Sequence, residues 1–101
     1  RKAGLHDLIV DPGFGFGKNI QHNFELLRKL SLLKITGLPL MVGLSRKSMI
    51  YKTLNTTADE ALNGTTALHL YALEQGACIL RVHDVKEAVQ CIKLHHELNR
   101  W

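Results

Sequence analysis

The sequence predicts an α/β fold built on parallel strands, and three observations predict it. Short apolar runs that do not alternate, Leu8-Ile9-Val10, Leu38 to Leu44 and Ala77 to Leu80, read as strands covered on both faces. Each is followed by a polar or Gly-rich loop and then by an amphipathic helical stretch. The loop positions Asp11, Lys47 and Arg81 are 36 and 34 residues apart, near the roughly 31 per unit of a barrel of about 250 residues. A doubly wound sheet and part of a (β/α) barrel both fit this alternation.

The first strand ends at Asp11-Pro12-Gly13. Phe24, Leu26, Leu27, Leu30 and Leu33 then predict a helix over about 20–34, with Gly37 just beyond it. The second strand tolerates Pro39 near its start and ends at Ser45-Arg46-Lys47. Thr57 with Glu60 reads as a capping box opening a helix to about Gln75, which Gly76 stops. The third strand ends at Arg81-Val82-His83-Asp84; Asp84 with Glu87 repeats the N-cap device, and Ala88, Val89 and Ile92 give the last helix its apolar face. Three strands cannot close a barrel, so the remaining strands are expected upstream. The start at Arg1-Lys2-Ala3, without a Met, is expected of a processed, cloned or truncated piece.

Hydrophobic residues at 46% and charged residues at 22% are ordinary for a folded domain. No apolar run approaches the roughly 20 residues of a membrane span. The net charge of +4 is spread along the chain without a Lys/Arg block, and aromatics are 6%. That pattern argues against nucleic acid and for a small anionic ligand. Cys78 and Cys91 lack metal-pair spacing and read as reduced thiols of a cytoplasmic protein. The six His residues form no compact ligand set, so no metal site is expected in this segment. His69, between Leu68 and Leu70, reads as a satisfied packing residue.

Parallel α/β folds bind ligands at the C-terminal ends of their strands. All three strands here end in polar residues: Asp11, Ser45-Arg46-Lys47, and Arg81 with His83. If they are the last three strands of a barrel, Arg46, Lys47, Arg81 and His83 belong to its phosphate corner. Arg81 and His83, two apart on an extended segment, point to one side. The loop Gly13-Phe14-Gly15-Phe16-Gly17-Lys18 is not a phosphate-cradling Walker loop, since Pro12 and Asn19 break the pattern. It reads instead as backbone that approaches a flat ligand while a ring covers it. The Asp11 carboxylate could accept two parallel hydrogen bonds from a guanidine-like ring edge.

Asp11 to Lys18, Gly43-Leu44-Ser45-Arg46-Lys47-Ser48 and Arg81-Val82-His83-Asp84, with the connecting Asn63-Gly64-Thr65, resemble the C-terminal motifs of the dihydropteroate synthases. The resemblance covers nearly the whole chain. It implies the last three βα units of a (β/α)8 TIM barrel, with residues 1–101 the C-terminal segment of one domain whose N-terminal half is absent. The family joins 6-hydroxymethyl-7,8-dihydropterin diphosphate to p-aminobenzoate in folate biosynthesis, releasing diphosphate. The resemblance implies that Asp11, Gly43, Lys47 and Arg81 serve the pterin, and Arg81 with His83 the diphosphate. Phe16, Ser45 and Lys47 would border p-aminobenzoate, whose pocket sulfonamides also occupy. No covalent nucleophile is implied. Magnesium would be held through the diphosphate and a residue outside this segment. The parent enzyme would be a cytoplasmic homodimer, and the segment alone inactive. Two other readings stay open: a related pterin-barrel methyltransferase, disfavoured by the Arg81-x-His83 pair, and a non-catalytic half-barrel scaffold.

Overall fold

Parallel pairing begins inside the apolar runs, over shorter stretches than the runs themselves. The computed structural model describes residues 9–15 and 18–101. Leu8 of the first run and Phe16 of the Gly-rich loop therefore lie outside the described residues. Val10 forms a parallel bridge with Leu40, its N–H donating to Pro39 O at 2.8 Å and its carbonyl accepting from Met41 N at 2.8 Å. Strand β1 (Met41–Val42) pairs in parallel with β2 (Ile79–Leu80), Met41 opposite Ile79 and Val42 opposite Leu80. The spatial order is thus the Val10 segment, β1, β2. From Leu40 to Ser45 every residue is buried except the half-buried Met41, the non-alternating burial that the continuous apolar run predicts.

Helix α1 (Ile20–Arg28) starts at Asn19, whose side chain accepts from His22 N at 2.8 Å. The helix expected over 20–34 divides at Lys29, and a 3-10 turn, Leu30–Thr36, continues it to Gly37 at φ 70. The tighter turn carries Leu30 to complete burial beside Leu27. A short helix that the periodicity did not indicate, α2 (Ser48–Tyr51), follows the second strand and buries Met49 and Ile50.

The expected capping box does not form. Thr57 makes no side-chain cap and precedes a single 3-10 turn, Ala58–Glu60, and α3 (Leu62–Glu74) begins after it. The physical reason lies across the fold. Arg46 Nη1 donates to the carbonyls of Ala58 (2.6 Å) and Asp59 (3.0 Å), oxygens a continuous helix would have used itself. Helix α4 (Val85–Leu98) starts after Asp84 as expected, yet Asp84 makes no side-chain cap bond either.

The core gathers Phe14, Leu27, Leu30, Leu40, Val42, Leu44, Met49, Ile50, Ala61, Ala72 and Ala77 between the parallel segments and α1 to α3. Cys91 is buried, Cys78 exposed, and both are free thiols. Among the described residues no helix is long and apolar enough to cross a membrane.

Candidate functional site

The ends of the three parallel segments bring most of the expected residues together. Asp11 follows Val10, and its Oδ1 accepts from Gly13 N at 3.0 Å, which turns the chain out of the strand. Its Oδ2 lies 3.4 Å from Arg81 Nη1, a loose ion pair with both side chains partly exposed. The Arg81 guanidinium lies against Gly43: a Cβ there would meet its Cζ and Nε at 2.9 Å. Gly43 thus leaves room for a planar cation at the end of β1.

Lys47 reaches back toward the Gly-rich loop, where its Nζ donates to Phe14 O. Burial, and then the neighbouring Arg81 cation, push the Lys47 ammonium below its ordinary pKa, while Asp11 opposes the shift. The Phe14 ring is 1% exposed and sits in the core. It anchors the loop, and the other ring of the loop, Phe16, lies outside the described residues. Gly15, at φ +89, places its N–H 2.9 Å from Asn23 Oδ1, so α1 holds the loop from below.

Ser45 is 3% exposed. His83 N donates to its Oγ at 3.3 Å, and His83 Nδ1 shares a second contact with that oxygen at 2.9 Å. Ser45 lines the cavity formed with Gly43, Lys47, Arg81, Val82 and His83, about 130 Å³ in volume, but turns its hydroxyl to His83.

Arg46 departs from expectation. Its Nε and Nη2 fork onto the Asp84 carboxylate at 2.8 and 3.0 Å, and its Nη1 holds the 58–59 carbonyls. Its backbone, at φ 55, donates to Thr65 Oγ1 at 3.0 Å. The guanidinium is used within the fold, and Arg46 lines an adjoining cavity with Phe14, Gly15 and Lys47 rather than the one formed with Arg81 and His83. The bonded guanidinium holds the Asp84 carboxyl below the usual carboxylate range.

Asn23, Phe14 and the Arg46–Asp84 pair are the supporting residues that sequence reasoning missed. Asn23 had a signal: it falls in register with Leu27 and Leu30 on the buried face of the first helix, where a polar side chain needs a partner.

A family model described as pterin binding enzyme matches residues 1–83, a span that ends on His83. The chain belongs to the pterin-binding enzyme family. Among curated members, the dihydropteroate synthase of Escherichia coli (strain K12) is 52% identical over 95 residues, 92% of this chain and 34% of that protein. A bifunctional dihydropteroate synthase/dihydropteroate reductase of Helicobacter pylori is 44% identical over 97 residues, 96% of this chain and 26% of its own length. A structure of Yersinia pestis DHPS with a pterine-sulfa conjugate superposes with a TM-score of 0.93 at 45% identity. It covers 96% of this chain and 38% of its own. The Thermus thermophilus dihydropteroate synthase in complex with 6HMPPP gives 0.84 at 40% identity, with 89% and 37% coverage. This pterin-binding enzyme chain spans about a third of the length of the Escherichia coli relative.

Among the described residues of this family member, no group of three or more His, Cys, Asp or Glu side chains gathers as a metal ion would need.

Proposed function

We propose that the chain is the C-terminal segment of a dihydropteroate synthase, made of the last three βα units of a (β/α)8 barrel. One observation carries the reading: Asp11, Lys47, Arg81 and His83 converge at the ends of three neighbouring parallel segments. That is where such folds bind ligands. Relatives named dihydropteroate synthase, at 40–52% identity, support it.

In this reading Asp11 accepts hydrogen bonds from the pterin ring edge, with Lys47 and the open face of Gly43 beside the ring. Arg81, half exposed over Gly43, stacks near the pterin and joins His83 on the diphosphate. Ser45 and Lys47 border p-aminobenzoate together with Phe16, which lies outside the described residues.

The reaction needs no enzyme nucleophile. The bond from the pterin methylene to the diphosphate oxygen breaks with its electron pair leaving on diphosphate, and the pterin ring supports the positive charge. The amine of p-aminobenzoate then bonds to the methylene and loses a proton. The residues of this chain orient the partners and stabilise the departing anion. Magnesium belongs to the proposal as carried by the diphosphate and a residue outside this segment. A cytoplasmic, homodimeric parent is part of the same proposal.

The test is calorimetric titration of the chain with 6-hydroxymethyl-7,8-dihydropterin diphosphate, repeated with Asp11→Ala. Removing a charged hydrogen-bond partner is worth about 1.5–3 kcal/mol, so binding should weaken roughly 10- to 100-fold in the variant. Equal binding by both proteins would remove Asp11 from the pterin site. A folded chain that binds nothing would count against a preformed half-site.

A further inference from the structure

The hydrogen-bonded ladder between β1 and β2 ends after two residue pairs, but the register does not. Met41 faces Ile79 and Val42 faces Leu80. Continuing with the same spacing, Gly43 lies under the Arg81 guanidinium. Ser45 meets His83, and Arg46 meets Asp84, each across a separation of 38 residues. Side chains therefore take over the pairing where backbone bonds stop. The last of these pairs is a two-pronged guanidinium–carboxylate contact at 2.8 and 3.0 Å, a geometry that fixes orientation as well as distance. Arg46 is further held by its contacts to the 58–59 carbonyls and by its N–H on Thr65, so α3 and the turn before it brace the same point. Lys47 follows Arg46 in the chain and His83 precedes Asp84.

We propose that Arg46 and Asp84 are positioning residues, whose forked ion pair carries the β1–β2 register past the strand ends and so holds Lys47 and His83 toward their shared cavity. The proposal rests on the synthase reading for its purpose, but its geometry is read independently of any ligand.

The experiment uses the 101-residue chain with ¹⁵N-labelled histidine, in wild-type, Asp84→Asn and Arg46→Lys forms. Ser45→Ala serves as the control that removes the His83 contact outright. Ring ¹⁵N shifts report the hydrogen bond at His83 Nδ1, circular dichroism reports folding, and inorganic diphosphate is the titrant. Both variants are expected to stay folded, lose the wild-type His83 ring signature, and bind diphosphate about tenfold more weakly. That is the order of loss when residues orienting a binding group are removed. Arg46→Lys keeps the charge without the fork, so an unchanged signature in both variants overturns the proposal. Unfolding of both variants also overturns it, because the pair would then hold the fold rather than aim the site. Wild-type protein that shows the His83 signature yet binds no diphosphate speaks against the synthase reading, while the ring shifts still decide the positioning role.

Discussion

Gly43 and His69 show how much depends on single residues here. A methyl group at Gly43 would collide with the Arg81 guanidinium, the far end of a flexible and half-exposed side chain. The side chain moves and the backbone stays. Gly43→Ala should therefore change stability by no more than about 0.5 kcal/mol. Displacing the guanidinium by roughly 1 Å should nonetheless weaken diphosphate binding on the order of tenfold. Thermal melts and a diphosphate titration on the same sample separate the two effects. His69 is a different case. Its burial, to 2% exposure, was legible from the flanking leucines, but satisfaction was not: Nε2 has no partner among the described residues. Burial pushes its pKa below 6.5, with the Asp84 carboxylate opposing. As pH falls through 6.5 the unfolded chain takes up this proton first, so stability declines from there down to the folded pKa. His69→Leu should remove that decline. At pH 7.5 it should be neutral or stabilising by about 1 kcal/mol, since an unpaired buried nitrogen is replaced by a shape of similar size. Melts at pH 7.5 and 5.5 check both signs, and a variant with the wild-type acid slope would clear His69 of the effect.

At the scale of elements, the strand ends and the helix order were readable because each apolar run is bounded by charge or glycine. Helix starts were less so. Thr57 and Glu60 have the spacing of a capping box, but Arg46, well away in sequence, takes the carbonyls of residues 58 and 59 and delays α3 to Leu62. Asp84 stands where an N-cap belongs and spends its carboxylate on the same arginine. Local pattern lost to one long-range guanidinium in both places, and no local window contains that information. Gly64 shows a similar contest inside α3. Alanine there would gain about 1 kcal/mol of helix propensity. Its Cβ would also stand 2.6 Å from Ile50 Cγ2 and 2.9 Å from Leu54 Cδ1, where α2 and the residues after it pack on α3. Overpacking of that kind costs about 1–3 kcal/mol. The clash wins. Gly64→Ala should lower the denaturation midpoint, and by less in an Ile50→Ala background, where the Cγ2 methyl it meets is gone. A midpoint that rises in the single variant would show that α2 gives way.

Across the whole molecule, the sheet has a described neighbour on only one side of β2, and Ile9 and Ile79 remain 48% and 37% exposed. The candidate site is equally open. Lys47 borders two cavities open to solvent, one of about 130 Å³ with Arg81 and His83 and one of about 420 Å³ with Phe14, Gly15 and Arg46, whereas a site that holds a small organic ligand buries most of its surface. The charges that would meet a diphosphate are present, and the walls that would enclose a flat ring and exclude water are not formed by the described residues. Anion recognition and catalysis should therefore separate. The 101-residue chain is expected to bind diphosphate while showing no synthesis of dihydropteroate from pterin diphosphate and p-aminobenzoate. The comparison is a product assay against a mock purification, run on protein shown to be folded. Turnover above the mock, abolished by Lys47→Ala, would mean that this third of the relatives' length assembles a working site, through self-association or otherwise. Absence of turnover with retained diphosphate binding would assign electrostatic capture to these strand ends and leave enclosure of the ring to residues beyond them.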